Sequence, residues 1–299
     1  MVVVNYHSSD FVRQCVRNVD GSWCGQVIFV DNSNSADEAR ALSEIVVPVP
    51  TSTIVEMTNV GFGTAANHGI NAALAENPDD PVWLVNPDMT FELATPRSLI
   101  DRLSLGVDDL ISPAIVTGES TDLRVWFAGG TADLRTGQVV HDDYLGRYSD
   151  TPLELPRPTT FMCGAAPVFT PVAWAHLGGF RDDLFLYWED VELSLRAQDL
   201  GLTMTIVGGS PVWHAVGGTG DGNGQSELFY YYSARNRVRV MALRGQARLL
   251  FTPVVLLQLV KFSLRPLRRE THGSVRKFLR TLSGYAVGFR FALRRHRDG

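Results

Sequence analysis

Residues 26–33 read "QVIFVDNS": four apolar residues in a row, three of them β-branched, that stop on Asp31 and two turn formers. An uninterrupted apolar run of this length is the pattern of a strand covered on both faces, and the carboxylate marks where it leaves the core. The same texture recurs in "VVVN" (2–5), "TIVEM" (53–57) and "PVWLVNPD" (81–88). Helical periodicity fills the intervals, over 8–19, around 37–44, and from the glycine-rich "NVGFGTAAN" (59–67) to about residue 74. Strands alternating with helices predict an α/β fold, a mostly parallel central sheet flanked by helices. Ligands of such sheets bind beyond the carboxyl ends of the strands, so Asn5, Asp31, Asn59 and Asp88 outline a candidate crevice.

Beyond residue 112 the texture changes. "RVWFAGGTADLRTGQVVH" (124–141) alternates and turns like a hairpin, and the proline-rich stretch up to 158 reads as a loop. Residues 160–213 read strand, helix, aromatic loop, helix, strand. An apolar content of 45% and a charged content of 20% in 299 residues exclude general disorder. Cys15, Cys24 and Cys163 form no CxxC pair, which argues against a disulfide framework or a zinc site and fits a reducing cytosol. "MVVVNYHSSD" (1–10) has neither the basic region nor the apolar length of a signal peptide.

The net charge of −5 conceals an asymmetry. From Arg235 onward 16 Lys and Arg face two acids, a balance of +14, against −19 for the residues before it. An acidic body with a basic tail points to an anionic partner for the tail. "LLFTPVVLLQLVKFSL" (249–264), interrupted by Pro253, Gln258 and Lys261, falls short of the roughly 18–20 apolar residues of a spanning helix. "VRKFLRTLSGYAVGFRFALRRHR" (275–297) mixes basic residues with Leu, Phe and Tyr. That mixture predicts amphipathic helices on an anionic membrane surface and no nucleic acid; the bland reading packs them on the body or on a second copy in a homo-oligomer.

Four motifs carry candidate chemistry, each with a plain alternative. Gly61, Gly63 and Ala66 match a GxGxxA dinucleotide fingerprint, but strands precede it that the fingerprint would not have, so a tight turn and close helix packing explain it better. Asn86-Pro87-Asp88 is either a turn or a clip in which Asp88 holds a divalent cation. His214, after an apolar strand, is either a core histidine or a second ligand for that cation. Finally, "FLYWED" (185–190) runs an aromatic wall into Glu189 and Asp190, which open a helix with Leu193, Ala197 and Leu200 on one face and a Glu192–Arg196 pair, stopped by Gly201. The helix dipole accounts for acids at this position. It does not account for the aromatics, whereas a carboxylate at the floor of an aromatic cleft suits general-base catalysis on a sugar hydroxyl.

In order and spacing these motifs resemble the inverting family 2 glycosyltransferases of the GT-A fold, especially the rhamnosyltransferase-like branch. The resemblance rests on "VVVNYHS" (2–8), "FVDNSNS" (29–35), "NVGFGTAANHGI" (59–70), "LVNPDM" (84–89), "CGAAPVF" (163–169), "LGGFRDDLFLYWEDVELSLRAQDLG" (177–201) and "VWHAVGG" (212–218). It covers residues 1–240, implying a nucleotide-sugar half (1–89) and an acceptor and catalytic half (90–240), with 241–299 as a basic, membrane-associating extension. It implies a nucleotide-diphosphate-sugar donor, Mg²⁺ or Mn²⁺ as cofactor, and a glycan or polyprenyl-linked glycan acceptor at the cytoplasmic face of the cell membrane. Donor contacts would come from Val4, Asn5, Tyr6, Asp31, Asn59, Gly63, Asn67, Asn86 and Asp88. Asp88 and His214 would hold the metal, although Asn86 stands where the family's Asp-x-Asp motif has its first acid. Gly164, Tyr187 and Trp188 would meet the acceptor. Asp190, with Glu189 beside it, would be the base that takes the acceptor hydroxyl's proton. The donor implied is dTDP-rhamnose, with UDP-hexose or UDP-galactofuranose as alternatives. A non-catalytic nucleotide-sugar-binding or membrane scaffold protein is the rival class.

Overall fold

The computed structural model describes residues 1–149, 153, 155–215 and 224–297. Strands β1 (Val2–Asn5), β2 (Val27–Asp31), β3 (Thr51–Val55) and β4 (Val82–Val85) are joined by helices α1 (Ser9–Cys15), α2 (Ala36–Ser43) and α3 (Phe62–Glu76). Then follow β5 (Met89–Phe91), α4 (Ala94–Leu103), β6 (Leu110–Thr117), β7 (Arg124–Phe127), β8 (Gly130–Asp133), β9 (Gln138–His141) and β10 (Arg157–Pro158). The chain continues through β11 (Val168–Phe169), α5 (Pro171–Leu177), α6 (Glu189–Asp199) and β12 (Met204–His214), and ends in α7 (Glu227–Leu243), α8 (Pro253–Arg269) and α9 (Ser274–Arg297).

The large sheet runs β10-β12-β6-β11-β4-β1-β2-β3, with β5 added to β12 and β7 to β6. β1, β2, β3 and β4 pair in parallel, and β6 pairs in parallel with β12. The two blocks are stitched by β11, antiparallel to both β4 and β6. The α/β sheet with flanking helices is thus the one the sequence predicts. Every residue of β1, β2 and β4 is buried, which is why these strands read as unbroken apolar runs. Register sets Asn5 directly opposite Asp31, and β1 also pairs with β4, so the ends of all three strands lie side by side. At roughly 4.8 Å per strand, Asp31 and the turn after β4 stand about 10 Å apart along one edge.

Two elements differ from the sequence reading. The predicted hairpin over 124–141 is divided: β7 joins the edge of β6, and only β8 and β9 form a hairpin. Gly129, at φ +103°, turns the chain between them, a backbone state open to glycine and strained for other residues. Pro253 does not interrupt the tail helix but starts it, with the Thr252 hydroxyl accepting from Val255 N. A proline in the first turn lacks only an N–H that would have no partner there.

The last three helices form a small core of their own around Ala234, Val238, Met241, Leu250 and Tyr285. Gly284 and Gly288 bring α9 so close to α7 that a Cβ would meet the backbone oxygens of Tyr231 and Arg235. One face of the tail therefore packs on the body, while Phe251, Val254, Leu256, Leu257 and Val260 stay exposed. Among the described residues no helix is long and apolar enough to cross a membrane.

Candidate active site

The carboxyl edge of the sheet carries a fixed polar network. Asn5 Nδ2 donates to Asp31 Oδ1 (3.1 Å), Ser33 Oγ (3.3 Å) and Glu38 Oε2 (2.9 Å), while Asn5 Oδ1 accepts from the backbone N and the hydroxyl of Ser8 (3.0 Å each). Asn5 and Asp31 are wholly buried. One oxygen of Asp31 is thereby fixed by Asn5 and by Ser33 N (3.1 Å), and the other, Oδ2, has no partner. A buried acceptor left without a donor costs on the order of 1–3 kcal/mol, a penalty that a bound donor would lift. Val4 is buried beneath the network, and Tyr6 projects beside it, half-exposed.

The turn after β4 and the end of β12 meet next along the edge. His214 Nε2 lies 3.1 Å from Asp88 Oδ2, and both residues are buried. β12 delivers the histidine because its end pairs with β5, with His214 opposite Met89, and Ala215 N donates to Asp88 O (3.0 Å). The edge of the Trp126 ring packs on the imidazole at 4.4 Å between centroids. His214 Nδ1 and Asn86 Oδ1 are both buried and have no partner among the described residues. Residues 216–218 of the "VWHAVGG" motif lie outside the described residues.

Asp190 and Glu189 open α6 at the end of a loop that no propensity favours. Phe185, Tyr187 and Trp188 all have positive φ (65°, 61° and 74°), a state costly for large side chains. Two groups hold the loop. Asn236 Nδ2, fully buried on α7, donates to the carbonyls of Leu184 (2.7 Å), Leu186 (2.9 Å) and Tyr187 (2.7 Å). From the other side Phe62 N donates to Phe185 O at 2.8 Å, an approach possible because residue 61 is glycine: a Cβ there would sit 2.4 Å from that oxygen. Asp190 Oδ2 accepts from Gly164 N (3.2 Å) and Oδ1 from Val191 N (2.8 Å). Burial raises its pKa, while these two N–H groups and nearby His141 favour the carboxylate. Glu189 is raised as well, first by burial and then by the charge of Asp190, and its Oε2 has no partner. Both carboxyls are thus raised by burial, and Asp190 holds the N–H donors of Gly164 and Val191, which favour its ionised form. Burial pushes the Tyr187 hydroxyl up to about 12, which keeps it a neutral phenol.

The structure thus gathers Val4, Asn5, Tyr6, Asp31, Asn86, Asp88 and His214 along the sheet edge, with Glu189, Asp190 and Gly164 at the start of α6. Three other candidates have partners within the protein. Asn59 Oδ1 accepts from Gly61 N and Asn32 Nδ2 (2.9 Å each). Asn67 bridges to Phe180, its Oδ1 accepting from N (2.7 Å) and its Nδ2 donating to O (2.8 Å). Gly63 gives Phe180 room, since a Cβ would lie 2.9 Å from it. The glycine motif therefore does what its plain reading holds, packing the start of α3 against Phe180 and against Phe185 at the head of "FLYWED". Trp188 is turned into the protein, beneath the guanidinium of Arg237 (5.5 Å). Sequence reasoning missed Glu38, His141, Trp126 and Asn236. Only Glu38 carried a local signal, as the third residue of a capping box that opens on Ser35.

No family model and no curated protein matches the chain. Solved structures do. GalNAc-T7, crystallised with UDP, GalNAc and Mn²⁺, superposes with a TM-score of 0.59 over 87% of this chain, at 15% identity. The fold is that of the GT-A glycosyltransferases. The chain spans about half of that protein, 53% of its length. Residues 1–349 of S. aureus TarS align with all of this chain and 90% of that one, at 13% identity and a TM-score of 0.49.

The cation site can be judged on its own donors. Among the described residues no three His, Cys, Asp or Glu converge to hold a metal by themselves. Asp88 Oδ2 and His214 Nε2 face each other at 3.1 Å, one carboxylate oxygen and one imidazole nitrogen that fit a divalent ion taking its remaining ligands from a diphosphate, as Mg²⁺ and Mn²⁺ commonly do.

Proposed function

We propose that the chain is an inverting, metal-assisted glycosyltransferase. It moves a sugar from a nucleotide-diphosphate donor, dTDP-rhamnose first among those to test, to a lipid-linked or cell-envelope glycan. The observation that carries this reading is a set of buried polar atoms without a partner among the described residues: Asp31 Oδ2 at the end of β2, Asn86 Oδ1 after β4, His214 Nδ1 at the end of β12, and Glu189 Oε2 at the start of α6, which is tied to the sheet edge through Gly164 N on Asp190 and Asn86 N on Ala165 O (2.8 Å). Buried polar groups are nearly always hydrogen-bonded, so these four exceptions point to a polar ligand.

Asp31 Oδ2 is an acceptor fixed for an N–H of the base or a ribose hydroxyl, with the Val4–Tyr6 segment alongside. Asn86 offers a hydrogen bond to the donor, and Asp88 with His214 would hold Mg²⁺ or Mn²⁺ against the diphosphate. The ion, when bound, supplies positive charge to the departing nucleoside diphosphate. Asp190, kept ionised by Gly164 N and Val191 N, accepts the proton of the acceptor hydroxyl as its oxygen attacks the anomeric carbon from the face opposite the leaving group. Glu189, neutral beside it, avoids a second charge in the same cleft, and the Tyr187 ring gives the acceptor an apolar wall. The exposed apolar residues of α8 and the basic tail would seat the protein on the inner face of the membrane.

Thermal shifts with a panel of nucleotide sugars, with and without Mn²⁺, test the reading. A dTDP-sugar should stabilise the protein more with Mn²⁺, and Asp88→Ala and His214→Ala should each abolish the Mn²⁺-dependent part. Stabilisation by UDP-sugars alone would move the donor assignment, and no response to any nucleotide sugar would end the transferase reading.

A further inference from the structure

The helical unit at the end of the chain buries unpartnered polar atoms of its own: Arg237 Nε, Arg239 Nε, Arg265 Nε and the Tyr285 hydroxyl. Arg239 has a carboxylate elsewhere, because its Nη2 pairs with Asp183. Arg237 and Arg265 have none among the described residues. The two acids described in this part of the chain are occupied, Glu227 by Arg280 (3.2 Å) and Glu270 by Lys277 (2.6 Å) and the Tyr230 hydroxyl (2.7 Å). Two partly buried arginines without a carboxylate among the described residues are an incomplete arrangement, since cations withdrawn from water are ordinarily paired. Burial is the main influence that lowers the Arg237 pKa; Tyr285 opposes it, and the charge of Arg265 lowers it further.

Aromatic rings set the direction in which these cations can act. Arg237 lies over Trp188 (5.5 Å) and Phe262 (5.0 Å), and Arg265 over Phe229 (5.5 Å). Phe229 and Phe262 touch at 6.0 Å, and Tyr187 reaches Phe229 at 5.2 Å. Rings on the guanidinium faces leave the in-plane N–H groups as donors, and of these the Nη groups, unlike the buried Nε, are the ones a ligand could meet. Two guanidinium edges suit a phosphate, which accepts paired parallel hydrogen bonds. Trp188 immediately precedes Glu189 and Asp190, so the pair stands behind the acceptor wall. In the other direction Arg265 follows exposed Val254 by about three helical turns on α8, at the border of that helix's exposed apolar face.

We propose that Arg237 and Arg265 form a phosphate-ester site on the acceptor side of the cleft, taking the phosphate or diphosphate of an acceptor whose hydrocarbon chain lies along the apolar face of α8. The word acceptor rests on the transferase reading; the phosphate site does not. The test uses the full chain and three probes: neutral phosphatidylcholine vesicles doped with a long-chain polyprenyl phosphate, the same vesicles with phosphatidylglycerol at equal charge, and soluble inorganic pyrophosphate as competitor. The protein should prefer the polyprenyl-phosphate vesicles, and pyrophosphate should displace it from them. Arg265→Gln, at the edge of the unit and so tolerant of change, should weaken that binding about tenfold, the loss of one charge-assisted hydrogen bond. Arg237→Gln should do the same, whereas Arg268→Gln, on the exposed end of α8, should not. Equal binding to both anionic vesicles, or Arg265→Gln binding like wild type, overturns the site. Thermal shift with nucleotide and Mn²⁺ should be unchanged in the Arg265 variant. A wild-type protein that ignores nucleotides yet keeps the polyprenyl-phosphate preference would sink the transferase reading and leave this one standing.

Discussion

Asn5, Asp31 and Asp88 stand at the ends of ordinary parallel strands, each aimed by the register of its neighbours. The acid end of the same cleft, from Phe185 to Asp190, stands on a loop with three large residues at positive φ, held by a side chain from α7 some 50 positions later in sequence. The first region obtains its geometry from a regular sheet and stays rigid without dedicated support. The second stores backbone strain of order 1–3 kcal/mol per residue and persists only while its surroundings over-determine it. A regular strand edge and a braced loop make different demands on substitution, and that difference can be attacked directly.

The largest effect should come from the braced side. Asp190→Asn retains the shape but keeps one acceptor oxygen where the carboxylate offers one each to Gly164 N and Val191 N, and it cannot take a proton at neutral pH. Transfer should fall roughly 10²–10⁴-fold, while Mn²⁺-dependent nucleotide binding, measured by calorimetry, stays as in wild type. Near-normal turnover in a folded Asp190→Asn protein would remove the base assignment and turn attention to Glu189. A protein that fails to fold would make the carboxylate a helix cap first.

Asn236→Ala tests whether the brace acts on the acid alone. It removes the two N–H groups shared among three main-chain carbonyls of the loop, about 1 kcal/mol for each N–H, so the midpoint of thermal unfolding should drop by several degrees. Transfer should fall by about 10²-fold, the scale expected when a catalytic group shifts by an ångström. Hydrogen exchange should quicken in peptides spanning 183–190 and remain slow in β1 and β2. Nucleotide affinity weakened as much as transfer would mean that the two regions are one cooperative unit and that the contrast drawn above is false.

That contrast also explains what could be read before the structure. Asp31 and Asp88 were legible because a buried parallel strand announces itself as an apolar run, and the polar residue that ends it must emerge at the binding edge. His214 was legible by the same rule at the end of β12. The meeting of His214 with Asp88 was not, because it depends on β12 pairing with β5 across more than a hundred residues. The role of Asn236 was invisible for a like reason: an asparagine within a helix carries no mark of the loop it will hold. The divided hairpin at 124–141 turned on Gly129, and the start of α8 on Pro253, two residues whose local meaning depends on what their neighbours pair with. In the tail, periodicity disclosed the amphipathic helices but not which arginines they would bury.

The smallest effect concerns Glu189, and its sign separates a neutral acid from a charged one. Burial and the charge of Asp190 raise its pKa in the folded protein above the ordinary carboxyl value of 4.5. The folded state therefore holds a proton that the unfolded chain gives up earlier as pH rises. Its contribution to stability is complete below the unfolded value and is lost as pH climbs through the raised one. Glu189→Gln fixes the neutral form at every pH. Its unfolding midpoint should match wild type at pH 4 and exceed it by a margin that widens toward pH 8, while transfer stays within about tenfold of wild type, because the proton of the acceptor goes to Asp190. A variant less stable than wild type at pH 8 would show that the folded protein uses Glu189 as an anion. The proton would then reside on Asp190, and the order of the two acids in the mechanism would have to be exchanged.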